Sequence, residues 1–157
     1  MSTSNSYSLS AEDRATVAAD LSRLLADSYT LYLKTHNFHW NVVGPNFSAL
    51  HLLFETQYTE LALAVDEIAE RIRALGQYSP GSYAEFAALT TIDEATGRPR
   101  ATEMVEALAA DNEAVARTAA AAFTVAEKVG DQPTCDLAVR RQQTHEKSAW
   151  MLRAMTE

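Results

Sequence analysis

The 5 Gly and 4 Pro of this 157-residue chain are gathered at four places, and their placement constrains the fold more than any other feature. They stand at Gly44-Pro45, from Gly76 through Pro80-Gly81, at Gly97 and Pro99, and at Gly130 and Pro133. The stretches between them are rich in Ala, Leu and Glu, which favour helix. Apolar residues there recur at helical spacing, as Val17, Leu21, Leu24, Leu25, Tyr29 (or Ser28), Leu31 and Tyr32 do in the first stretch. Turn chemistry is too scarce for a many-stranded sandwich or barrel.

The punctuation predicts four long helices. The first follows Ser10, a good N-cap ahead of the acidic Glu12 and Asp13, and runs to about His39 before Gly44-Pro45. Ser48 or Asn46 caps a second, from about Leu50 to Leu75, stopped by Gly76. A short helical piece over Tyr83–Leu89 interrupts residues 77–100. The third spans Thr102 to Lys128 and ends at Gly130. Asp131 and Pro133 open the fourth, which reaches about Met155. This is an all-α architecture, a four-helix bundle with one long crossover between the second and third long helices. Residues 1–9, uncharged and Ser-rich, are expected to form a loose tail, leaving 10–157 as a single domain.

Asp and Glu number 21 against 13 Lys and Arg, a net charge of −8. A protein working alone on nucleic-acid phosphates normally carries the opposite sign. The single Cys135 excludes an internal disulfide, and its place near a helix start is one that can lower a thiol pKa. The opening MSTSNSYSLSAEDR lacks the basic start and apolar run of a signal peptide, and no stretch approaches the ~18 apolar residues of a membrane span. A cytosolic location is the expectation.

Metal chemistry is suggested by the second helix. At ~100° per residue, Glu55 lies ~40° from His51, Asp66 ~60° and Glu70 ~100°, so all four fall on one stripe. A charged stripe alone is usually a solvated face. Here Leu61, Val65 and Ile68 fill other directions, which calls for cover on more than one side. At ~1.5 Å rise per residue, His51/Glu55 and Asp66/Glu70 stand about 22 Å apart, too far for one ion. Two copies packed antiparallel about an axis near Glu60 and Leu61 would complete two identical sites.

Imidazole mixed with carboxylate suits Fe(II), Mn(II) or Zn(II) better than Ca or Mg. A metal site within one bundle would need Glu-x-x-His motifs. None exists, because Leu33, Ser48 and Gln142 stand three residues before His36, His51 and His145. His145 has no ligand partner at helical spacing and is left out of the site, as is Cys135.

His36-Asn-Phe-His39-Trp40-Asn41-Val42, Gly44-Pro45-x-Phe47-x-x-Leu50-His51 and Asp66-x-x-Ala69-Glu70-Arg71 together resemble the signature of the Dps family, the mini-ferritins. The resemblance implies a ferritin-like fold and a hollow shell of twelve subunits, with ferroxidase sites at two-fold interfaces. It puts ligands on His39, His51 and Glu55 of one chain and on Asp66 and Glu70 of its partner. Where the family usually has Asp, this chain has the longer Glu55. The implied chemistry is oxidation of Fe(II), preferably by hydrogen peroxide and otherwise by oxygen, with storage as ferric mineral. Trp40, beside His39, would sit close enough to report on metal by quenching. Asp111 is the best match to acidic three-fold pores. DNA binding in the family is often credited to a Lys-rich tail. Here the first Lys is Lys34, and Arg140-Arg141 is a small basic spot, so DNA binding is expected to be weak or absent.

Overall fold

The computed structural model describes residues 9–157. Five helices follow one another: α1 (Ala11–Asn41), α2 (Phe47–Ala74), α3 (Tyr83–Leu89), α4 (Ala101–Val129) and α5 (Gln132–Ala154). No strand occurs among the described residues. The four long helices and the short α3 in the crossover are those expected from the Gly and Pro pattern, with ends shifted by a few residues. The largest shifts are at the first turn: α1 continues to Asn41, and α2 already begins at Phe47. Asn46 is the N-cap of α2 but makes no side-chain capping bond.

Local chemistry explains the boundaries. Ser10 Oγ accepts from the Asp13 amide at 3.0 Å, starting α1. Ser82 and Glu85 close a reciprocal capping box at α3. Gly130, at φ 77°, ends α4 in the left-handed region that an L side chain resists. The Asp131 amide then reaches back to the Ala126 carbonyl at 2.9 Å, a Schellman closure. Of the expected loose segment, residues 1–8 lie outside the described residues. Leu9 belongs to the bundle instead: it packs against the core, and its carbonyl accepts from Arg14.

One apolar core runs through the bundle, filled by residues such as Leu21, Leu24, Leu31, Phe38, Phe54, Ile68, Ile72, Met104, Leu108 and Leu152. α1 packs on α2 and α4, and α4 packs on α5. Ala119 and Ala122 are buried on α4 and let its neighbours approach closely. α2 and α5 meet at few backbone positions, and long polar side chains span the gap. Arg71 donates to Asp131 and Thr134, Arg140 to Glu67, and Arg141 to Glu60.

The crossover is pinned from below. Asp27, fully buried on α1, accepts from Thr90 Oγ1, the Thr91 amide, Thr91 Oγ1 and Thr118 Oγ1 at 2.6–2.9 Å. Four donors compensate the desolvation of one carboxylate. Lys34 adds a bond to the Asp93 carbonyl at 2.9 Å. Among the described residues, no helix is long and apolar enough to cross a membrane.

Candidate metal centre

Gly44, at φ 122°, turns the short link after α1 so that the start of α2 returns beside the end of α1. That turn brings His39 and His51 face to face. Their ring centroids lie 3.7 Å apart with planes 15° from parallel. His39 Nδ1 bonds the His51 carbonyl at 2.8 Å, and His51 Nδ1 bonds the His39 carbonyl at 2.8 Å. A carbonyl oxygen can only accept, so each Nδ1 carries a proton, and Nε2 is the nitrogen of each ring left to offer a lone pair. Main-chain bonds of this kind orient imidazoles as metal ligands. His39 is buried, and His51 is partly exposed.

Glu55, one turn after His51, is exposed, as are Asp66 and Glu70 further along α2. Fifteen residues of helix keep the two pairs about 22 Å apart. Among the described residues, no three His, Cys, Asp or Glu of one chain converge to hold a metal ion. The fold therefore joins His39 to His51 and leaves Asp66 and Glu70 at the other end of the same helix. Between them α2 exposes Leu52 at 61% and Leu63 at 73%, apolar side chains that one bundle leaves in water.

Sequence reasoning passed over His36. Its ring is clasped between Trp40, at 3.9 Å between centroids, and Tyr58, at 4.2 Å. Tyr58 stands edge-on to His39 at 5.0 Å, and Tyr32 lies 5.5 Å from His36. Burial first, then neighbouring His39, hold His36 below its ordinary pKa. The i, i+4 spacing of Tyr32, His36 and Trp40 was the available signal.

Cys135 is a buried packing residue, in keeping with its exclusion from the site: desolvation, with Asp131 and Glu127 nearby, raises its pKa, so the helix start confers no reactivity. Asp111 is engaged within its own bundle. Its carboxylate pairs with Lys34 at 2.7 Å, and burial raises its pKa despite that partner. Arg140 and Arg141 form no basic spot. Arg140 is held by Glu67 and Asp136, while Arg141 is buried and pairs with Glu60.

His145, left out of the site from sequence, lies deep in the bundle. It donates from Nδ1 to Asn112 Oδ1 at 2.8 Å and accepts from Arg141 Nη2 at 3.0 Å. Burial, with the Arg141 charge beside it, lowers its pKa to about 3. The bundle interior thus holds a neutral imidazole and a guanidinium, a poor host for a cation.

A ferritin-like domain family model matches residues 18–157. DNA protection during starvation protein 2 of Bacillus anthracis is 41% identical over 134 residues, covering 85% of this chain and 92% of that protein. This chain belongs to the Dps family. Among solved structures, Dps from Bacillus brevis superposes with a TM-score of 0.91 at 37% identity, over 95% of this chain and 100% of that one. Dps from Vibrio cholerae, described as one of a broad superfamily of ferritin-like diiron-carboxylate proteins, gives 0.92 at 29% identity, over 100% and 99%.

Proposed function

We propose that this Dps-family protein is a ferroxidase and iron store that works in the cytoplasm against oxidative damage. Fe(II) is its substrate, bound between two chains packed antiparallel along α2. His39, His51 and Glu55 come from one chain and Asp66 and Glu70 from the other. The observation that carries this reading is the His39–His51 lock, which ties up both Nδ1 atoms and leaves Nε2 of each ring to bind metal, with Glu55 one turn after His51. Two imidazoles with carboxylates suit Fe(II), and the carboxylates stabilise the ferric product. The exposed Leu52 and Leu63 on the same helix supply apolar surface that a partner would cover.

Two Fe(II), one hydrogen peroxide and two protons give two Fe(III) and two waters, with no hydroxyl radical released. Oxygen is the slower alternative oxidant. The chain's own contribution is to hold the imidazoles in one tautomer and to place carboxylates that accept positive charge. The ferric product collects in a closed shell of twelve subunits. Glu55, longer than the family's usual Asp, bears on whether one or two irons bind per site before oxidation.

The alternative is a DNA-compacting protein with little oxidase activity, in line with the name of the Bacillus anthracis relative. The net charge of −8 and the internal pairing of Arg140 and Arg141 favour the first reading. An anaerobic Fe(II) titration followed by Trp fluorescence, then a stoichiometric peroxide pulse read by ferric absorbance, decides between them. Saturable binding near two irons per subunit with fast oxidation supports the ferroxidase. Oxidation no faster than in buffer, with a clear gel shift at physiological salt, would install the DNA reading.

A further inference from the structure

We infer that His36, which the proposed ferroxidase site does not use, is the connecting ring of an electron path from Trp40 through Tyr58 to the His39–His51 pair. Consecutive centroids are 3.9 Å apart from Trp40 to His36, 4.2 Å from His36 to Tyr58, 5.0 Å from Tyr58 to His39 and 3.7 Å from His39 to His51. Every step is a direct ring-to-ring contact, at or inside the ~4.5–7 Å between centroids usual for packed aromatic groups. Two helices build the series, with His36, His39 and Trp40 on one face of α1 and Tyr58 on α2. It also grades from water to interior: Trp40 is 59% exposed, His36 and Tyr58 are half-buried, and His39 is buried.

Indole and phenol are the oxidisable groups of the series. Imidazole resists oxidation, so His36 acts as the medium that fills the space between the two. Packing alone would place an apolar ring there equally well.

The use of the path rests on the ferroxidase reading. Peroxide needs two electrons, and a site holding a single Fe(II) supplies one. Tyr58 gives the second, losing its phenolic proton, and Trp40 refills Tyr58 through His36. The balance is one Fe(II), one hydrogen peroxide, one proton and the Trp40 indole going to one Fe(III), two waters and a neutral indolyl radical. The indole N–H supplies the second proton. The oxidising equivalent thus leaves the site as a radical at the surface.

The path is tested without iron by pulse radiolysis, using azide radical as oxidant on a Trp150→Phe background so that Trp40 is the remaining indole. The expected result is a first-order decay of the indolyl band with matching growth of the phenoxyl band, independent of protein concentration. That conversion should be lost in Tyr58→Phe, which keeps the ring, and in His36→Leu with its helical circular dichroism unchanged. An unchanged rate of indolyl decay in His36→Leu or in Tyr58→Phe would overturn the proposal.

A second arm pulses peroxide onto protein given at most one Fe(II) per site and maps oxidised Trp40 by peptide mass spectrometry. Oxidation at Trp40 that falls in His36→Leu supports the assigned use, and its absence in the parent protein overturns it. Should the parent protein consume no peroxide while the iron-free transfer persists, the ferroxidase reading fails and the path stands.

Discussion

His39 and His51 each donate Nδ1–H to the other's main-chain carbonyl, at 2.8 Å in both directions. Neither ring can turn without breaking a bond to the other helix. Replacing His51 by Ala therefore removes one imidazole and its bond to the His39 carbonyl, while the main-chain carbonyl of residue 51 still holds the His39 tautomer. Fe(II) affinity in His51→Ala should fall by at least the roughly 10–100-fold typical of losing an orienting partner. An anaerobic titration measures it, and unaltered affinity would place the metal elsewhere.

Sharing between chains predicts complementation. His39→Ala/His51→Ala chains and Asp66→Ala/Glu70→Ala chains should each be inactive alone. Reassembled together at equal amounts, half of the two-fold pairs are mixed and each carries one intact site, so about a quarter of the parent activity should return. No recovery in a shell shown by mass to be mixed would rule out sites shared across a two-fold axis.

Glu60 and Arg141 differ in burial, and the difference sets the cost of removing each. The Arg141 side chain is 4% exposed and that of Glu60 is 42%. Glu60→Ala strands a buried guanidinium and should cost about 3 kcal/mol, the lower end for breaking a buried pair. Arg141→Met leaves a carboxylate that water can reach and fills the volume with an apolar chain, so it should cost less. Denaturant melts of the two variants under one buffer provide the comparison. The opposite order would mean that the His145 bond, and not the Glu60 pair, holds Arg141.

His145 gives the fold a pH dependence of known sign. Its folded pKa is lowered to about 3, beneath the unfolded value near 6.5. Between those values the unfolded chain binds a proton that the native chain refuses. Stability is therefore full above pH 6.5 and is lost as pH falls toward 3, by up to ~1.4 kcal/mol per pH unit from this group. His145→Gln should flatten that part of the profile in urea melts at pH 7, 6 and 5. A slope of equal size in the variant would assign the acid sensitivity to other groups.

The crossover should loosen when Asp27 is changed. Asp27→Ala removes the acceptor shared by Thr90, Thr91 and Thr118. Limited proteolysis should then cut residues 90–100 sooner than in the parent chain, with the long helices intact by circular dichroism. Equal protection would show that the Lys34 bond to the Asp93 carbonyl suffices to hold the segment.

Much of this was legible in the residues because it depends on neighbours along the chain. Ser10, Ser82–Glu85 and Gly130 act within one turn of helix, so the helix ends could be read within a few residues. His51, Glu55, Asp66 and Glu70 share a stripe by helical period alone. The engagements of Asp111, Arg140 and Arg141 could not be read in advance, for the opposite reason. Their partners, Lys34, Glu67 and Glu60, lie on other helices, and no local spacing announces them.

The sequence by itself determined the helices, their order and the ~22 Å that keeps one chain's donors apart, since propensity, capping and helical rise are local properties. Only the tertiary structure decided the tautomer of His39 and His51, the clasp of His36 between Trp40 and Tyr58, and the neutrality of His145. Each of these depends on a group brought up by a different helix, and on the water that packing excludes.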